Sequence, residues 1–209
     1  MRPSATRRRT TWWPIALVCC LVAAGCAAGR KTVATLSDVG PDQAILVGRI
    51  ELDPPLKEGE QVLTGSFKGF ARNSIIFVTD DHPRAFSGDL SPSDYMKSVV
   101  APLRVTYYVA VPRKPIFFLR GLLYVTWISN RWEKAWFPGG YRVDIRPEDR
   151  AVYMGTVRYT RNEFMDVKKV EIIDDYSRDA AEFRKRFGSG VALQKRLATP
   201  VKDARAGSR

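Results

Sequence analysis

Histidine and cysteine are nearly missing from the part of this chain that can fold. Among 209 residues there is one histidine, His82, and the three cysteines Cys19, Cys20 and Cys26 all lie near the N-terminus. Beyond Cys26 no thiol remains for a disulfide, a zinc cluster or a nucleophile, and a lone imidazole cannot supply the converging groups of the familiar triads and zinc sites. Coiled-coil repeats, a collagen period and the low hydrophobicity of a disordered chain are absent too. The composition, 45% hydrophobic and 27% charged with 15 Gly and 13 Pro, describes one globular domain with flanking segments. No GxGxxG, Walker A, HExxH or EF-hand pattern occurs, and Gly65-Ser66-Phe67-Lys68-Gly69 does not place its serine as a nucleophile elbow does. These absences point away from an enzyme, a cofactor and a metal.

What is present begins with an address. Arg2, Arg7, Arg8 and Arg9 precede the small and apolar run Ile15 to Gly25, and no acidic residue interrupts them. A basic segment, a short apolar segment and a small-residue end are the layout of an export signal. Trp12 to Ala28 contains Pro14 and is short for a membrane span, which needs about 20 residues. Ala23-Ala24-Gly25-Cys26 resembles the bacterial lipobox, which implies a signal peptide over residues 1–25 and a palmitate-bearing lipid on Cys26. By the same resemblance Ala27 implies sorting to the outer membrane, facing the periplasm. An exported protein does not meet nucleic acid.

From Cys26 to Gln43 the chain is polar and without period, so residues 26–43 read as a flexible tether spanning about 23 Å. Residues 44–176 carry short β-rich runs separated by turn residues. The runs are Ala44 to Leu52, Leu63 to Phe70, Ser74 to Thr79, Arg104 to Val111, Leu122 to Ile128, Tyr141 to Ile145, Ala151 to Tyr159 and Phe164 to Ile173. Eight to nine strands at this spacing predict an antiparallel β-sandwich. Tyr176, Ala180, Phe183 and Phe187 recur at helical spacing, Ser177 can cap and Gly188 can stop, so residues 177–188 predict one amphipathic helix laid across an edge or end of the sheet. From Arg178 onward nine Lys or Arg face three acidic residues, and residues 189–209 read as a basic tail, solvated or disordered.

Three places invite a chemical reading. Trp127, Trp132, Trp136 and Tyr141 gather aromatic faces near Arg131, Lys134 and Arg142, an arrangement that holds sugar rings or partner side chains because flat faces bury much area at low entropy cost. Their plainer reading is the core and edge of a hairpin. Arg184, Lys185, Arg186, Lys195 and Arg196 are the candidates for contact with anionic lipid or wall groups. Asp80-Asp81-His82 has groups that bind cations, but adjacent residues rarely converge on one ion, and the composition is that of a solvated turn.

Phe137-Pro138-Gly139-Gly140-Tyr141 followed by Tyr153-Met154-Gly155-Thr156 resembles small bacterial lipoproteins of unknown function with an immunoglobulin-like or transthyretin-like sandwich. The resemblance spans roughly Ala135 to Gly188. It implies an architecture in which a tyrosine just inside a strand sends its hydroxyl back to a loop backbone. The expectation is a lipid-anchored envelope protein whose domain binds or assembles with another envelope protein, with cell-wall glycan binding through Trp127 to Tyr141 as the alternative.

Overall fold

A computed structural model of the chain describes residues 30–60, 73–86, 88–126 and 132–201. Among the described residues ten strands form two five-stranded sheets. Sheet A contains β4 (Tyr107–Pro112), β1 (Gln43–Asp53), β7 (Ala151–Arg161) and β8 (Val167–Ile173) in that order, with β9 (Leu193–Lys195) also paired to β7. Sheet B runs β10 (Thr199–Pro200), β6 (Trp132–Val143), β5 (Ile116–Thr126), β2 (Ser74–Asp80) and β3 (Val99–Pro102). All pairings are antiparallel except β1 with β7 and β9 with β7. Among the described residues two α-helices, α1 (Pro92–Lys97) and α2 (Tyr176–Phe187), lie outside the sheets.

Alternation along the strands sends one set of side chains between the sheets. Leu46, Ile50, Val109, Met154 and Tyr159 of sheet A share a buried cluster with Ile75, Phe77, Phe118, Phe137 and Tyr141 of sheet B. Its aromatic centre packs edge to face, with Phe77 and Phe118 centroids 5.5 Å apart and Phe137 and Tyr159 5.1 Å apart, the geometry that aromatic quadrupoles favour. The chain is mainly β, in two sheets packed face to face.

The outer faces are roofed differently. Ile45, Val47, Tyr108, Ala110 and Tyr153 of sheet A pack under Ala180, Phe183 and Phe187 of α2. The helix thus lies on the face of a sheet and not across an edge or end, because sheet A carries apolar residues outward as well as inward. It also starts one residue before the expected Ser177, which is exposed within it. Asp175 stands at the N-cap, and its carboxylate is taken up by Arg178 and Thr156.

Two segments expected to be unstructured join the fold within the described range. Val33 is fully buried, its N–H donates to the Tyr108 carbonyl at 2.8 Å, and Thr32 bridges Val109. The tether therefore ends by Arg30, because the free edge of β4 needs a backbone partner. At the other end, β8 pairs with β7 only from Thr156 to Arg161. Ala151 to Tyr153 are left with an open edge, which β9 fills in parallel. Within residues 189–201, β9 and β10 thus join the sheets; residues 202–209 lie outside the described range, as do the expected strand Leu63 to Phe70, Trp127 and Cys26.

Candidate functional site

The candidate site is a groove on the β6 side of the sandwich. It has a volume of about 930 Å³ and runs from Phe86 and Trp136, past the Pro138-Gly139-Gly140 bend, to Phe164 and Val201. That volume falls within the range of small-ligand and peptide sites.

A backbone irregularity shapes its floor. The β5–β6 register slips between Phe118 and Arg120, and the two strands come so close that a Cβ on Gly139 would stand 2.4 Å from the Leu119 backbone. Only glycine fits there. Beside the slip, Ile76, Leu122 and Trp136 form a cross-strand row on the outer face of sheet B. The chain after β2 roofs part of that row. Phe86 meets Trp136 with centroids 6.0 Å apart, and the Tyr95 and Tyr124 hydroxyls lie 3.3 Å apart.

This roof is held by charge. Arg84 donates to Asp80 at 2.7 Å and to Asp94 at 3.0 Å. Asp94 also closes a capping box with Ser91 at the start of α1. Burial opposes ionisation of Asp80 and Asp94, yet these hydrogen bonds and neighbouring cations hold both carboxyls below the usual range.

Arginines stack on the groove's rings. The Arg120 guanidinium sits 4.7 Å from the Trp136 ring centre, Arg142 5.7 Å from Phe117 and Arg84 5.9 Å from Phe86. Arg142 is paired with Asp144, Arg84 with Asp80 and Asp94, and Lys134 with Asp89. Arg120 forms no ion pair among the described residues. The opposite lip is the β7–β8 turn, where the Asn162 side chain accepts from the Phe164 and Asp166 backbone N–H groups at 3.0 and 2.9 Å. This rigid turn leaves Phe164 66% exposed.

Of the four aromatic candidates, Trp136 and Tyr141 line the groove, Tyr141 at its floor with 3% exposure. Its hydroxyl is 2.8 Å from that of Tyr159, which donates to the Pro138 carbonyl at 3.0 Å. Tyr141 is thus largely buried, and both hydroxyls find partners inside. Trp132 opens β6, and Trp127 lies outside the described residues.

The basic candidates divide. Lys195 pairs with Asp174, and Arg196 is 3.3 Å from the buried Asp149 carboxylate. Arg186 stacks over Tyr108 and donates to the Val33 carbonyl at 3.2 Å. Arg184 and Lys185 are exposed without an ion pair among the described residues. In the acidic turn, Asp80 joins Arg84, Asp81 joins Lys114 at 2.5 Å and His82 is exposed. Among the described residues no three His, Cys, Asp or Glu side chains are grouped to hold a metal ion, and no helix is long and apolar enough to cross a membrane.

Arg120, Phe86, Phe117 and Phe164 escape a sequence reading because they come from separate segments that only the sheet brings together. The one signal was the alternation Ile116, Phe118 against Phe117, Leu119, which Arg120 and Gly121 interrupt. No family model matches the chain, and no curated protein or solved structure matches it.

Proposed function

We infer that the chain is a lipid-anchored protein of the cell envelope whose two-sheet domain is a binding module for another envelope protein, with the Trp136 groove as its contact surface. The observation that carries the binding role is the groove itself: a preformed, aromatic-lined hollow with an arginine that has no ion pair among the described residues and an exposed phenylalanine on its lip. Aromatic and arginine side chains are the residues that anchor interfaces. The anchor rests on the sequence around Cys26 and its likeness to a lipobox.

The short connection supports the same reading. Three residues separate Cys26 from Arg30, whose N–H is bound to the Ser98 carbonyl at 2.7 Å. A lipid on Cys26 would hold the domain within about 14 Å of the bilayer. Arg186 at the end of α2 touches Val33, so Arg184 and Lys185 would lie on the membrane side, where each basic residue near an anionic surface adds up to about 1 kcal/mol.

Metabolic labelling with a palmitate analogue, followed by density separation of membranes, tests the anchor. Label on the wild type but not on Cys26→Ala, in the outer-membrane fraction, is the expected result; an unlabelled wild type removes the anchor. A photo-crosslinking residue at Phe164 tests the module and is expected to capture an envelope protein, and capture of none removes it. The three rings Phe86, Phe117 and Trp136 favour cell-wall glycan as the second reading of the groove. That version predicts weaker retention of Trp136→Ala on purified cell wall at unchanged fold.

A further inference from the structure

Deepening the binding-module reading, on which it rests, we propose that the groove receives an extended acidic segment of the partner protein, its backbone laid along the outer edge of β6 and one carboxylate held by Arg120. Two independent features lead there. The first is an unfinished sheet edge. β10 covers Tyr141 and Arg142 of β6, the Val201 N–H donates to the Gly140 carbonyl and the Tyr159 hydroxyl to that of Pro138, so the edge without a strand beside it among the described residues runs from Trp132 to Phe137. A row of unpaired backbone donors and acceptors is a template for an added strand. A glycan offers no matching ladder, and this edge favours a peptide.

The second feature is charge. Arg84 and Lys134, the other cations lining the groove, are already neutralised by Asp80, Asp94 and Asp89. Arg120 alone keeps its charge uncompensated there among the described residues. Its guanidinium lies over the Trp136 ring and its N–H groups make no hydrogen bond among the described residues, so the fork can take a carboxylate through two parallel hydrogen bonds. The acidic residues of the groove do not compete. Asp166 is bound by Asn162 and lies 3.8 Å from Lys168, and Glu133 stands on the opposite face of β6 from Trp136 by strand alternation. Between β6 and the β7–β8 turn, Phe164 offers an apolar contact for the side chains that alternate with the acidic ones.

The experiment uses the full mature chain and two fluorescent peptides, one alternating valine with glutamate and one alternating valine with glutamine. Anisotropy should show the glutamate peptide bound about tenfold tighter, about 1.4 kcal/mol, as expected of a charge-assisted hydrogen bond. Arg120→Gln should leave a protein that remains folded and binds the two peptides with equal affinity, abolishing that preference. Arg120→Lys should restore part of it, since the charge returns without the fork. N-methylation of alternate peptide amides should remove binding of both peptides. Equal affinity for the two peptides, or a preference that survives Arg120→Gln, overturns the carboxylate assignment. Insensitivity to N-methylation overturns edge addition. Binding of purified cell wall but of neither peptide overturns the acidic segment in favour of glycan. Each of these failures leaves the Phe164 crosslink intact, whereas loss of that crosslink removes the binding module itself.

Discussion

On the outer face of sheet A, Tyr108 and Tyr153 lie beneath a three-turn helix, whereas on the outer face of sheet B, Ile76 and Leu122 lie beneath an irregular segment whose Phe86 meets Trp136 at the margin. Both faces carry apolar residues outward, so both need a roof. The roof of sheet A is made of packing: Phe183 is fully buried, and Phe187 meets Tyr108 at 5.2 Å. Its polar side is also closed, since the fully buried Asp179 is met by Thr106, Arg49 and Arg178. The roof of sheet B hangs instead on the Asp80, Arg84 and Asp94 ion pairs around one short helix. A regular helix seals a face, and a loop leaves a margin. The candidate site lies at that margin, as sites borne by loops on a rigid scaffold commonly do.

This contrast can be broken from either side. Phe183→Ala should cost about 3–5 kcal/mol, the range for a truncated buried aromatic, read as a lowered denaturation midpoint. Gly139→Ala should cost about 1–3 kcal/mol, because the added methyl meets strand backbone and not a flexible side chain. It should also weaken peptide binding, while Phe183→Ala at a temperature where it stays folded should not. A Gly139→Ala protein with wild-type stability and binding would show that the strand slip does not shape the groove.

Acid should separate the roofs. The folded-state carboxyls of Asp80 and Asp94 titrate below their unfolded value near 3.9. Their contribution is therefore complete above about pH 4 and is lost as pH falls through the lower folded values. Amide exchange at about pH 3, corrected for its intrinsic rate, should show residues 91–98 opening before α2, with a change of ~1 kcal/mol, the size of a lost helix cap. Simultaneous opening would erase the distinction. The smallest effects belong to the basic face of α2. Arg186→Ala should cost about 0.5–1 kcal/mol through its ring contacts, and Lys185→Ala should stay within about 0.5 kcal/mol, both by thermal melting.

The strands with strong local pattern were legible. Ala44 to Leu52, Ser74 to Thr79 and Ala151 to Tyr159 differ from β1, β2 and β7 by two residues or fewer at each end, because alternation and flanking turn residues act within a few positions. The first half of β5 was not, since Gly121 reads as a breaker. It sits there because Ile75 and Phe77 occupy the space a side chain would need, a constraint imposed by another strand. The pieces at residues 30–33 and 193–200 were equally hidden, because their partners are sheet edges. Of the groove, the sequence disclosed Trp136 and Tyr141, the latter with its hydroxyl turned inward to Tyr159.

By itself the amino-acid sequence determined a mainly β chain and the apolar stripe of α2, because hydrophobic period and turn chemistry are properties of neighbouring residues. It also carried the run of small residues before Cys26, which is read from covalent order alone. The tertiary structure alone decided which apolar face each roof covers and which sheet edges stay open. It likewise decided which arginines are neutralised. Those outcomes depend on residues tens of positions apart meeting across two sheets, and no local pattern records whether a charge such as that of Arg120 will find its partner.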